Sequence, residues 1–126
     1  MFKIDKETKE IKITRGDIGC IRVGAKNNDD TEYTFKTGDV VRLKVFKRKD
    51  CNCVELQKDV KVEAANTTID IHLTSEDTKI GELINKPVSY WYEVELNPET
   101  NPQTIIGYDD IGEKKFTLYP EGSDLA

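Results

Sequence analysis

Val88-Ser89-Tyr90-Trp91-Tyr92-Glu93-Val94-Glu95-Leu96 alternates without a break between two sets of side chains. Successive residues of a strand point to opposite faces. Val88, Tyr90, Tyr92, Val94 and Leu96 therefore share one face, and Ser89, Trp91, Glu93 and Glu95 share the other. An apolar face against a polar one is the mark of a half-buried strand.

The same period runs outward from this stretch. Val41, Leu43 and Val45 alternate with Arg42, Lys44 and Phe46. Val54, Leu56, Val60 and Val62 alternate with Glu55, Gln57, Lys61 and Glu63, with a break expected near Lys58-Asp59. Ile69, Ile71 and Leu73 alternate with Asp70, His72 and Thr74. Turn-forming clusters separate the runs at 6–9, 27–30, 37–39, 50–53, 64–67, 97–101 and 109–112. Strands thus recur roughly every 8–12 residues, the spacing of a sandwich or barrel. The predicted core is Val41, Leu43, Val45, Ile69, Ile71, Leu73, Tyr90, Tyr92, Val94 and Phe116.

One segment departs from period two. Thr74-Ser75-Glu76-Asp77 has the form of a helix N-cap with an acid three residues on. Ile80, Leu83 and Ile84 follow at helical spacing, which predicts a short helical crossover over Ser75 to Ile84, ended near Lys86-Pro87. The last third predicts a strand at Thr104–Tyr108, a turn at Asp109–Gly112, and a strand at Lys115–Tyr119 stopped by Pro120. The pattern predicts an all-β, antiparallel β-sandwich in a single domain over 1–126, with its core at about 10–120 and a mobile tail at 121–126.

The chain has 126 residues, with 34% charged, 37% apolar and a net charge of -5. A domain of this size buries roughly 65–70% of its unfolded surface and folds without a metal or a disulfide. The acidic balance argues against nucleic acid, whose phosphates select clustered Lys and Arg. The basic run from Lys44 to Lys49 alternates with Val45 and Phe46, as a solvated strand face does. No stretch approaches the ~20 apolar residues of a membrane span, and no apolar signal core follows Met1. A soluble protein with unlinked thiols is expected.

Several residues could carry chemistry. Arg15-Gly16-Asp17 matches the adhesion tripeptide, but Ile11, Ile13, Ile18 and Ile21 flank it, which predicts a glycine-permitted kink between strand segments. Cys51-Asn52-Cys53 with Cys20 and His72 would make a Cys3His zinc set, but the second closely spaced pair of a zinc site is missing. The expectation is no metal, no cofactor and no intramolecular disulfide among Cys20, Cys51 and Cys53. His72 alternates outward on its strand, with no activated nucleophile to serve. The carboxylates lie mostly in turns or on polar strand faces, and no catalytic residue is assigned. Trp91, on the polar face of its strand, is the leading candidate for an interface anchor, and Phe46 is second.

The segment Arg15-Gly16-Asp17, then Ile21-Arg22-Val23, Tyr33 to Phe35, and Gly38-Asp39 leading into Val40 to Phe46, continues with Tyr90 to Leu96 and Ile105 to Tyr119. This order of Gly-Asp steps, aromatics and alternating strands resembles the immunoglobulin-like N-terminal domain of phage baseplate upper proteins and related tail proteins. The resemblance spans about residues 10–120. It implies an immunoglobulin-like sandwich and a structural role in a phage, prophage or tailocin tail or baseplate. The implied partners are other tail or baseplate proteins or further copies of the chain. The implied location is the virion, by way of the host cytoplasm during assembly. The alternative function is a small carbohydrate-binding module using exposed aromatics such as Trp91.

Overall fold

The computed structural model of the chain describes residues 2–5, 7–27, 29–47, 54–81, 84–107 and 112–121. Nine strands run through the described residues: β1 (Phe2–Ile4), β2 (Ile11–Thr14), β3 (Gly19–Val23), β4 (Val40–Phe46), β5 (Val54–Lys61), β6 (Ile69–Leu73), β7 (Val88–Leu96), β8 (Gln103–Ile106) and β9 (Lys115–Tyr119). Seven form one sheet in the order β1-β2-β9-β7-β4-β5, with β8 also paired to β7. β3 and β6 form a separate two-stranded ribbon. The fold is all-β and sandwich-like: the two sheets share one apolar core.

β7 is the hub of the large sheet. One of its edges takes β4 at Trp91–Leu96; the other takes β9 at Val88–Trp91 and β8 at Val94–Leu96. Register matches apolar phase to apolar phase. Leu43 lies opposite Val94, Val45 opposite Tyr92, and Tyr90 opposite Phe116. The β3–β6 ribbon supplies Ile21, Val23, Ile71 and Leu73 from the facing layer, all buried. Nine of the ten expected core residues are buried; Ile69, at the first position of β6, is half-buried. Ile11, Ile13, Phe35 and Leu118 join the interior at 0% exposure, with Val62, Ile80 and Leu96 also buried.

Three expectations need correction. The sheet is mixed, because β2 and β9 pair in parallel from Ile11 opposite Phe116 to Thr14 opposite Tyr119. β5 runs through Lys58-Asp59 without a break. Lys58 lies opposite Leu43, on the core-facing phase, and its ammonium reaches the Asp77 carboxylate at 2.8 Å. A charge on the inner phase of an edge strand is tolerated when it reaches a partner, and it discourages further strand pairing. Third, no helix occurs among the described residues.

The cap predicted at Thr74 does form. Asp77 N–H donates to Thr74 Oγ1 at 3.2 Å, and Thr74 N–H donates to the Asp77 carboxylate at 2.9 Å. That reciprocal pair is a capping box. One turn follows, closed by Thr78 N–H to Thr74 C=O at 3.3 Å. Thr78 then turns its buried hydroxyl to Asp17 C=O at 2.8 Å, and Gly81 takes φ 67°, outside helical backbone. The left-handed backbone at Gly81 cannot continue a right-handed helix, so the single turn is not extended through it. Leu83, part of the expected helical spacing, lies outside the described residues. So do Tyr108 to Ile111 of the expected strand and turn, the Cys51–Cys53 turn, and residues 122–126 of the expected tail.

Arg15-Gly16-Asp17 forms the β2–β3 turn, with Gly16 at φ 88°. It is clamped to the same crossover. Gly16 N–H donates to Thr78 Oγ1 at 3.0 Å, and Arg15 donates to Gly81 C=O at 3.1 Å. Arg15 is only 8% exposed, so the tripeptide is not displayed with a free guanidinium.

Candidate functional site

The outer face of the large sheet carries the residues singled out as interface anchors. Phe46 of β4 lies directly opposite Trp91 of β7. Both are half-buried. Lys115 of β9 flanks Trp91 on its other side. The register of β4 with β5 shifts between Val45 and Phe46, which places Val54 opposite Phe46. Such a bulge re-aims side chains. Val54, expected on the inward phase with Leu56 and Val60, is instead 39% exposed. The result is an apolar row, Val54–Phe46–Trp91, crossing three strands on a face that alternation makes polar.

Charges frame this row. Arg42 pairs with Asp59 at 2.8 Å and with Glu99 at 3.1 Å. Lys44 Nζ lies 3.4 Å from Glu95 Oε1, close enough to pair the charges without the geometry of a hydrogen bond. On the other flank, Thr117 Oγ1 donates to Glu10 at 2.6 Å and meets Ser89 Oγ at 3.2 Å. Trp91 Nε1 is buried and has no hydrogen-bond partner among the described residues. A buried indole N–H without an acceptor is unusual.

Burial pushes the Glu93 carboxyl above its ordinary pKa; the adjacent Glu95 adds to this and Lys44 opposes it. A carboxyl bound more tightly to its proton when folded costs stability as pH rises through the interval from its unfolded to its folded pKa. Glu93→Gln is therefore expected to raise the urea midpoint at neutral pH and to leave it nearly unchanged at a pH below about 4. An equal gain at both pH values would show that the effect is not ionisation.

Comparison with known protein families, with curated proteins and with solved structures returned no match.

The sequence-level zinc set divides in the structure. Cys20 and His72 are brought together as cross-strand partners in the β3–β6 ribbon. Cys51 and Cys53 lie outside the described residues. Asp70, outside the Cys3His set that the sequence suggests, joins the pair: thiol, imidazole and carboxylate donor atoms all lie within 4.8 Å of one another. The signal that could have found it was the shared period-two phase of Asp70 and His72, but only the strand pairing adds Cys20 to that face. Nothing in the chain's periodicity pointed to Val54 as an outward residue either, because a bulge leaves no trace in alternation.

A cleft of about 470 Å3 opens between β3 and β8, lined by Arg22, Val23, Lys26, Leu96, Thr104 and Ile106 among others. Across its neighbourhood, Tyr92 donates its hydroxyl to Lys9 C=O, tying the β1–β2 turn to the hub strand. Burial raises the Tyr92 pKa, so this phenol stays a donor.

Proposed function

We propose that the chain is a non-enzymatic docking domain of immunoglobulin-like character that works by binding other protein subunits, in a phage, prophage or tailocin tail or baseplate. The observation that carries the docking role is the outward row Val54–Phe46–Trp91 with its charged frame. Apolar anchors ringed by polar side chains are the anatomy of a protein interface. The viral setting rests on the resemblance of the Gly-Asp steps and aromatic strands to tail-protein domains. The immunoglobulin-like character is supported by the two layers around one core and by the long connections between paired strands. The partners in this reading are other tail proteins or further copies of the chain.

Trp91→Ala tests it. Truncating a central interface aromatic commonly costs ~2 kcal/mol or more of binding, about thirtyfold in Kd. The variant is expected to keep its circular dichroism and melting behaviour and to lose self-association by sedimentation, or incorporation into tail particles. An unfolded variant would make Trp91 a structural residue. Normal assembly would move the interface elsewhere. Loss of binding on a glycan array with assembly intact would favour the carbohydrate-binding alternative.

A further inference from the structure

We propose that Cys20, Asp70 and His72 form a surface site for one divalent cation of the Zn2+ class, on the outer face of the β3–β6 ribbon. The site is separate from the aromatic row, and it does not depend on the docking role.

The register builds it. Cys20 lies opposite His72, and Arg22 opposite Asp70, so four side chains stand on one face of two hydrogen-bonded strands. Ile21, Val23, Ile71 and Leu73, buried on the other face, fix that face outward. Cys20 and His72 are exposed and Asp70 is half-buried. The three donor atoms lie within 4.8 Å of one another. Tetrahedral zinc, with bonds of about 2.0–2.3 Å, holds its donors about 3.5 Å apart. The difference is on the order of 1 Å, which rotation of exposed side chains supplies without moving the backbone.

The donor set also selects the ion. A thiolate and an imidazole favour Zn2+ or Co2+ over the hard cations Mg2+ and Ca2+, which take oxygen. The carboxylate completes three protein ligands, leaving the fourth position to water or to a donor from another molecule. Arg22 orients that carboxylate, with Nε to Oδ1 at 2.8 Å and Nη2 to Oδ2 at 3.3 Å. An ionised carboxylate has about four lone-pair sites, so two remain for the metal. A ligand held from behind by a hydrogen bond is the usual outer-shell arrangement of metal sites. Binding takes the thiolate, so the thiol proton leaves to solvent. The ribbon is anchored by its buried face, so the fold should be indifferent to chelator.

The test is cobalt titration of the untagged full chain, read by the sulfur-to-cobalt charge-transfer absorbance. One equivalent should saturate the band, Zn2+ should displace it, and Mg2+ in excess should not. The Cys51→Ser/Cys53→Ser double variant should keep the band. Cys20→Ser should abolish it, and His72→Ala and Asp70→Asn should each weaken binding roughly tenfold or more. In a second measurement, Zn2+ should slow alkylation of Cys20 by iodoacetamide in the parent chain. The proposal is overturned if no band forms, if the band survives Cys20→Ser or follows Cys51 and Cys53, or if Zn2+ gives Cys20 no protection. A band insensitive to both His72→Ala and Asp70→Asn would also overturn it, as adventitious binding to a thiol.

Discussion

Leu43→Ala is expected to destabilise the protein by about 2–5 kcal/mol. Leu43 is fully buried on β4, opposite Val94 of β7, at the centre of the large sheet. Truncation removes transfer free energy and leaves a cavity. Collapse into it is restricted, because Leu43 is hydrogen-bonded within a strand paired on both edges. At roughly 4 °C per kcal/mol for a domain of this size, the melting temperature should fall by about 8–20 °C. Urea unfolding should show the same loss through its midpoint with little change in slope. A variant as stable as the parent would put Leu43 on the wrong face of β4, and with it Val41 and Val45, since a one-residue slip exchanges the faces.

Asp39→Ala is expected to cost about 2–4 kcal/mol, although the residue is a carboxylate in a turn. Its side chain is 9% exposed and holds three elements together. It accepts from Tyr33 Oη at 2.8 Å, from Lys36 N–H at 2.9 Å, and from the Asn97 amide at 3.2 Å. Asn97 in turn accepts from Val40 N–H at 2.8 Å, and Tyr33 packs edge-on against the buried Phe35 at 5.3 Å. Alanine would leave these donors without their acceptor. Burial alone would raise the Asp39 pKa, but the bonds from Lys36, Tyr33 and Asn97 outweigh it and hold the carboxyl below its ordinary value. Its contribution is therefore present above the unfolded carboxylate pKa and is lost as pH falls through the lower, folded one. Stability measured from pH 7 downward should converge between parent and variant in acid. A constant gap at every pH would mean that the ionised form is not what stabilises the turn.

The two variants probe different kinds of information. Leu43 was assigned to the core from alternation alone. Asp39 was visible only as part of a Gly-Asp step before a Val-rich strand. That it gathers Tyr33, Lys36 and Asn97 required the turn to close and β7 to run antiparallel to β4, which brings Asn97 beside Val40.

What the sequence by itself determined was the phase of its strands. Period-two alternation is written residue by residue, and it put Tyr90 and Tyr92 inward and Trp91 outward, as observed. Local capping chemistry was legible for the same reason: Thr74 and Asp77 are three residues apart and make their bonds within one turn. What only the tertiary structure decided was adjacency. Backbone hydrogen bonds between strands are chemically alike whichever strands supply them, so alternation names no partner. Pairing placed Phe46 beside Trp91, Cys20 beside His72, and β2 parallel to β9. A bulge at Val45/Phe46 turned Val54 outward, and the turn at Thr74–Thr78 was held against Asp17 by the Thr78 hydroxyl. Apart from that bulge in the β4–β5 hairpin, each depends on residues far apart in the chain, and their meeting is set by the lowest free energy of the whole core.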